Sequence, residues 1–106
     1  VALYKPLMTP TGTASFWIIG TRWIDSYCKS AYAILYGFES KEHCDMKGSL
    51  YRSFKEYKIK VGSKEFDKYF ANSVLKQEGI CDIDQFYKLI KDTDVDFKDA
   101  QDWIYT

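Results

Sequence analysis

Five glycines, Gly20, Gly37, Gly48, Gly62 and Gly79, stand 11 to 17 residues apart and cut this 106-residue chain into short pieces. Each piece has room for one helix of a few turns or one strand, and for nothing longer. Both prolines, Pro6 and Pro10, fall in the first ten residues. Proline lacks the N–H that a helix needs and restricts its predecessor. Residues 1–12 are therefore expected to form an extended N-terminal arm that packs through Leu3, Tyr4 and Leu7. Leu, Ile, Val and Phe supply 26 residues, enough for the core of one domain. Residues 13–106 are expected to make up that single, helical domain.

The spacing of Trp23, Tyr27, Ala31, Ile34 and Leu35 is that of one helix face, and predicts a helix over 22–36 closed by Gly37. Ser49 reads as the cap of a second helix carrying Leu50, Tyr51, Phe54 and Tyr57. Ser63 caps a third, over 64–78, with an apolar stripe of Phe66, Tyr69, Phe70 and Val74. Asp82 with Gln85 resembles a capping box opening a fourth, which carries Ile83, Phe86, Tyr87 and Ile90. Asp96 to Tyr105 predicts a last short helix anchored by Trp103 and Ile104. The apolar run Ser15–Ile19 fits a buried strand or the first turn of a buried helix, with Gly20 a break and Thr21 a cap. Lys58–Val61 fits a turn or short strand. The expected fold is mostly α, a small compact domain of four to five short helices. A minor β element at Phe16–Ile19 or Lys58–Val61 would make it α+β.

Several chemistries are disfavoured. No Gly-rich phosphate loop, nucleophile elbow or His-Glu-x-x-His pattern occurs. His43 is the sole histidine and adjoins Cys44; neighbours in sequence seldom face each other, and a base needs a third group to orient it. Structural zinc sites present ligand pairs two to four residues apart, which Cys28, His43, Cys44 and Cys81 do not. Asp92, Asp94 and Asp96 resemble the opening of an EF-hand loop. Phe97 then stands where Gly is required and Trp103 where a bidentate Glu is required. A solvated acidic turn, with Asp96 capping the last helix, fits better. The expectation is a non-enzymatic protein with no catalytic residues, no metal and no cofactor.

The formal charge of zero hides a division. Residues 1–70 hold eleven Lys and Arg against seven Asp and Glu, a net +4; residues 71–106 hold four against eight, a net −4. Arg52, Lys55, Lys58, Lys60, Lys64 and Lys68 form a basic segment that could follow a phosphate backbone, with Asn72 as a base reader. The stretch Ser49-Leu-Tyr-Arg-Ser-Phe-Lys-Glu-Tyr57, a short link, then Gly62-Ser-Lys-Glu-Phe-Asp-Lys-Tyr-Phe70 reads as a helix-turn-helix pair. It resembles the winged-helix segment at the C-terminal end of phage and large-virus replication primase-helicases. That resemblance implies a nucleic-acid-binding domain, with a β-hairpin wing where this chain continues Ile80-Cys-Asp-Ile-Asp84.

Nineteen aromatic residues, nine of them Tyr, exceed what so small a core readily buries. Tyr pairs an apolar body with one polar group and serves protein-binding surfaces. Tyr32, Tyr36, Tyr51 and Tyr105 are the candidates for such a patch. The leading expectation is thus a protein-interaction domain using a Tyr-rich helical surface with basic and acidic edges. Its partner would be another protein or a second copy. A helix-turn-helix nucleic-acid binder is the alternative. Three Cys, an odd count, predict reduced and mostly buried thiols and an intracellular setting. The longest uncharged run, Pro6–Thr21, is too short and too polar for a membrane helix and has no basic segment before it. A chain starting at Val1 reads as a processed product or a piece of something longer.

Overall fold

The computed structural model describes residues 2–42, 53–59, 63–77 and 81–103, with residues 53, 72 and 103 described for their backbone alone. The 22–36 region departs most from the sequence reading. In place of one helix it forms the end of strand β2 (Gly12–Asp25), a turn, and the start of strand β3 (Ser30–Phe38). Asp25 accepts hydrogen bonds from the Tyr27 and Cys28 amides at 3.0 Å each, which folds the turn. β1 (Ala2–Thr9) precedes this hairpin and β4 (Ser53–Ile59) follows it. Phe54 and Tyr57, expected on a helix, are therefore strand residues.

Helices α1 (Lys64–Phe70), α2 (Asn72–Leu75) and α3 (Asp82–Thr93) come next, then a 3₁₀ turn (Val95–Phe97) and β5 (Gln101–Trp103). The strands make one five-stranded sheet in the order β4-β3-β2-β1-β5, antiparallel at every pairing. The mostly-α expectation, and with it the helical domain over 13–106, is thus corrected to an antiparallel sheet with a thin helical layer. The segment expected as an arm contains β1, which lies between β2 and β5.

Two helices were legible in the sequence, one from its cap and one from its apolar spacing. The Ser63 hydroxyl accepts from the Phe66 amide at 3.3 Å and starts α1, although the helix stops at Phe70 rather than near 78. α3 forms where expected, but its N-cap is Cys81 and the capping box is not made. Gln85 is buried instead and donates to the Tyr69 carbonyl at 2.9 Å, satisfying the end of α1. Where a last helix over 96–105 was expected, the 3₁₀ turn and β5 stand instead.

The core lies between the sheet and the helical layer. β3 turns Ala31, Ala33, Leu35 and Gly37 inward, and the helices supply the large side chains Phe66, Tyr69, Phe70, Phe86 and Ile90. Small residues on the sheet let the rings seat closely; Phe70 and Phe86 have centroids 4.5 Å apart. Trp17 from β2 meets Phe97 edge-on at 5.2 Å. Full burial of side chains this size contributes about 1.5–3 kcal/mol apiece. Two irregularities bend the sheet, one in β1 between Tyr4 and Leu7 and one in β2 between Ile19 and Thr21. At each, an aromatic side chain takes up a backbone group: the Trp17 indole donates to the Lys5 carbonyl at 3.0 Å, and the Tyr87 hydroxyl accepts from the Ile19 amide at 2.9 Å. Backbone groups left out of a ladder need such partners when buried.

Candidate functional site

Alternation along β3 sends Tyr32, Ile34, Tyr36 and Phe38 to the sheet face opposite the helices. Register then fixes their neighbours. On β2, Phe16, Ile18, Thr21 and Trp23 oppose Phe38, Tyr36, Ile34 and Tyr32; on β4, Phe54, Glu56 and Lys58 oppose Tyr36, Ile34 and Tyr32. An antiparallel sheet covered on one side ordinarily turns polar residues to water on the other. This one turns aromatic and β-branched residues outward. Trp23 and Phe54 stay 50% and 51% exposed, and Tyr4 at the far side 38%.

The outward rings are ordered among themselves. Trp23 and Tyr32 stack with centroids 5.8 Å apart and planes 21° from parallel. Tyr4 meets Phe16 edge-on at 5.2 Å. The Lys58 ammonium lies 5.9 Å from the Tyr32 ring centroid and 3.9 Å from the Glu56 carboxylate. Burial, and then the charge of Glu56, push the Tyr32 phenol above its ordinary value, so it stays a neutral hydroxyl. Gly20, in the β2 irregularity, lies directly under the Tyr36 ring; a Cβ there would stand 2.6 Å from Cδ2. The missing side chain lets Tyr36 lie flat against the strand. No protein-family model, curated protein or solved structure matches the chain.

Of the four tyrosines singled out in the sequence, Tyr32 and Tyr36 belong to this face, brought together by β3. Tyr51 and Tyr105 lie outside the described residues. The surface is a sheet and not a helix. Trp23, Phe54 and Ile34 were missed as surface residues because their helical spacing suggested a buried stripe. A period-of-two reading of Ala31-Tyr-Ala-Ile-Leu-Tyr-Gly-Phe38 would have separated the small inward set from the large outward one.

The basic segment does not form one stripe. Strand alternation puts Lys58 on the outer face and Lys55 on the inner side, and Lys64 and Lys68 are exposed on α1. Lys68 lies over the Tyr69 ring, 5.2 Å from its centroid. Arg52 and Lys60 lie outside the described residues, as do His43 and Cys44; of Asn72 only the backbone is described. The helix-turn-helix expectation is overturned, because β4 stands where its first helix was placed. After Gly79, where the winged-helix resemblance requires a hairpin, α3 follows.

Lys55 has a structural place. Its ammonium donates to Asp94 at 3.1 Å and Asp96 at 2.9 Å, beside the Phe97 ring, while the Tyr57 hydroxyl donates to Asp94 at 2.6 Å. Partial burial works against the Asp94 charge, but hydrogen bonds from Tyr57, the Asp96 amide and Lys55 outweigh it and hold its pKa below the usual carboxylate value. Asp92 accepts from the Tyr69 hydroxyl at 2.8 Å. The three carboxylates that resembled a calcium loop thus each take a donor from the protein itself. Among the described residues, no group of three or more His, Cys, Asp or Glu converges as a metal site requires.

The charge division is likewise met inside the fold. Lys5 pairs with Asp99 at 2.8 Å, Arg22 with Asp82 at 3.2 Å, and Lys55 with Asp94 and Asp96, each joining the basic portion to the acidic one. Cys28 and Cys81 are exposed free thiols, against the expectation of burial. A cleft of about 480 Å³ opens beside Tyr57, Ile59, Glu65, Leu89 and Thr93. Among the described residues, no helix is long and apolar enough to cross a membrane.

Proposed function

We propose that this chain is a non-enzymatic protein-interaction domain whose docking surface is the outer face of the sheet. The observation that carries this reading is the aromatic character of the sheet face opposite α1 and α3. A surface of this kind supplies area and shape rather than chemistry: rigid rings bury readily, and their hydroxyls tolerate a wet rim. Tyr and Trp are also the residues that most often dominate binding energy at interfaces. Glu56 and Lys58 offset each other within the face, so the partner that suits it is a protein presenting a neutral, apolar surface. An intracellular setting accords with Cys28 and Cys81 standing as exposed thiols.

The test is whether binding depends on the face. The chain is immobilised alongside a Trp23→Glu, Phe54→Glu double variant, and a helix-side Lys88→Glu variant serves as control. All three positions are exposed, so each variant is expected to keep its melting temperature within a few degrees. The expected result is a stoichiometric protein partner held by the wild type and the control and released by the double variant. A partner that the double variant retains in full would place binding elsewhere and overturn the reading.

A further inference from the structure

The cleft beside Tyr57 lies away from the outer face and is built from three separate parts of the chain. Tyr57 and Ile59 reach it from β4, Ser63 and Glu65 from the start of α1, and Leu89 and Thr93 from α3. Its volume of about 480 Å³ falls within the roughly 300–1,000 Å³ that small-molecule sites occupy. We propose that this cleft binds a small organic ammonium ion with an apolar body, the ammonium held by the Glu65 carboxylate. The site does not depend on the docking-face reading.

Hydrogen bonding within the fold decides what the lining can offer. The Tyr57 hydroxyl donates to Asp94 at 2.6 Å and the Thr93 hydroxyl to the Leu89 carbonyl at 2.6 Å, so both present only oxygen lone pairs to a ligand. Burial, and then the hydrogen bond and charge of Asp94, push the Tyr57 phenol well above its ordinary value, which keeps that proton in place. Ser63 accepts from the Phe66 amide at 3.3 Å and keeps its own proton. Glu65 adds a carboxylate that makes no salt bridge among the described residues. Lys58 also borders the cleft, but its ammonium lies 3.9 Å from Glu56 and 5.9 Å from the Tyr32 ring centroid, on the outer face. Behind Tyr57, Asp94 and Asp96 share the single ammonium of Lys55, which leaves that side net negative.

A lining rich in acceptors and negative in sign complements a positively charged donor. Ile59, Leu89 and the Tyr57 ring form the apolar wall, so the rest of the ligand is hydrocarbon or aromatic. A metal ion does not suit the cleft, because it needs several oxygen ligands and would leave that wall against water. A carboxylate or phosphate would be repelled by Glu65 and by the charge behind Tyr57. The ligand class that satisfies both halves of the lining is a primary amine carrying a ring or a branched chain.

The probe is tryptamine, set against indole-3-propionate, which has the same ring and linker but ends in a carboxylate. In an NMR titration of the isotope-labelled chain, tryptamine is expected to saturate with a dissociation constant of about 1 mM or lower. The amide signals of Ile59, Glu65 and Leu89 should move, and the acid should bind at least about ten-fold more weakly. Glu65→Gln should weaken tryptamine about five-fold or more, and Glu65→Lys further. Glu56→Gln removes a carboxylate from the outer face instead and should change the constant less than about two-fold. Glu56 and Glu65 are both exposed, so the variants keep the fold. No saturation by about 10 mM, equal binding of the acid, a constant indifferent to Glu65→Gln, or shifts centred on Trp23 would each overturn the proposal. The docking-face reading stands or falls on its own double variant.

Discussion

The phenolic oxygen of Tyr87 accepts the amide proton of Ile19 at 2.9 Å, joining the buried face of α3 to the sheet beside its irregularity. β2 carries an extra residue there relative to β3, so its backbone falls out of step with the ladder. A helix side chain completes the hydrogen bonding that the neighbouring strand cannot. Tyr87→Phe keeps the ring and removes this acceptor. A buried donor left unsatisfied costs about 1–3 kcal/mol, which for a domain this size lowers the melting temperature by several degrees or more. A thermal melt within about one degree of wild type would show that the hydroxyl contributes nothing.

Gly37 and Gly20 should respond differently to the same substitution. A Cβ on Gly37 would stand 2.6–2.8 Å from three carbons of the Trp17 ring, which is 1% exposed and fixed against Phe97. Gly37→Ala is therefore expected to cost about 1–3 kcal/mol by overpacking. Gly20→Ala meets the Tyr36 ring, which is only partly buried and so has more room to shift than Trp17. Its cost should be below about 1 kcal/mol. Equal losses in urea denaturation would contradict this division between a fully buried ring and a partly exposed one.

Stability should fall at both ends of the pH range for separable reasons. Asp94 has a folded pKa held below its unfolded value, so its contribution is present above about pH 4 and is lost as pH drops through the folded value. Tyr69 is pushed up to about 12 by burial and then by its hydrogen bond to Asp92. Its contribution is complete below about pH 10 and is lost as pH rises through the folded value. Urea melts across pH should show a shallower acid limb in Asp94→Asn and a shallower alkaline limb in Tyr69→Phe. An unchanged slope in either variant rejects that residue's part.

Lys29 closes the β2–β3 turn with a φ of 55°, in the left-handed region. Holding a side chain there costs about 1 kcal/mol, which glycine avoids. The residue's compensating contact is an ion pair with Asp67 at 3.6 Å between side chains that are both more than half exposed. Such pairs contribute little. Lys29→Gly should leave the melting temperature unchanged or raise it by a few degrees; a clear drop would mean that the pair outweighs the turn.

The parts of the fold that announced themselves were one helix cap and one helix face. Ser63 named the start of α1, and the spacing of Ile83, Phe86, Tyr87 and Ile90 named α3. The strands hid because this sheet is apolar on both faces. Ile34 points outward and Leu35 inward, yet both are aliphatic, so β3 lacks the apolar–polar alternation that identifies a half-buried strand. Trp23, Tyr27 and Ala31 then matched a helical period by coincidence of two strands and a turn. Lys55 misled in another way. A lysine facing the helical layer looks like a surface residue until Asp94 and Asp96, some forty positions later, come to meet it. Tyr32 and Tyr36 were found for their residue type, and the face that joins them was invisible for the same reason that β3 was.

β1 sits between β2 and β5, with Ala2 in register with Trp103. Some ninety residues of chain separate β1 from β5. A nascent chain can pair β1 with β2 early, but the free edge of β1 waits for residues 101–103, and its inner face waits for Phe86, Ile90 and Phe97. Contacts this distant in sequence slow folding and prolong the exposure of unpaired edges. Until residues 101–103 have been made, β1 therefore presents an open strand edge beside an unfilled inner face, a combination that chaperones bind. The sheet is complete only once β5 has been made and has reached the edge of β1.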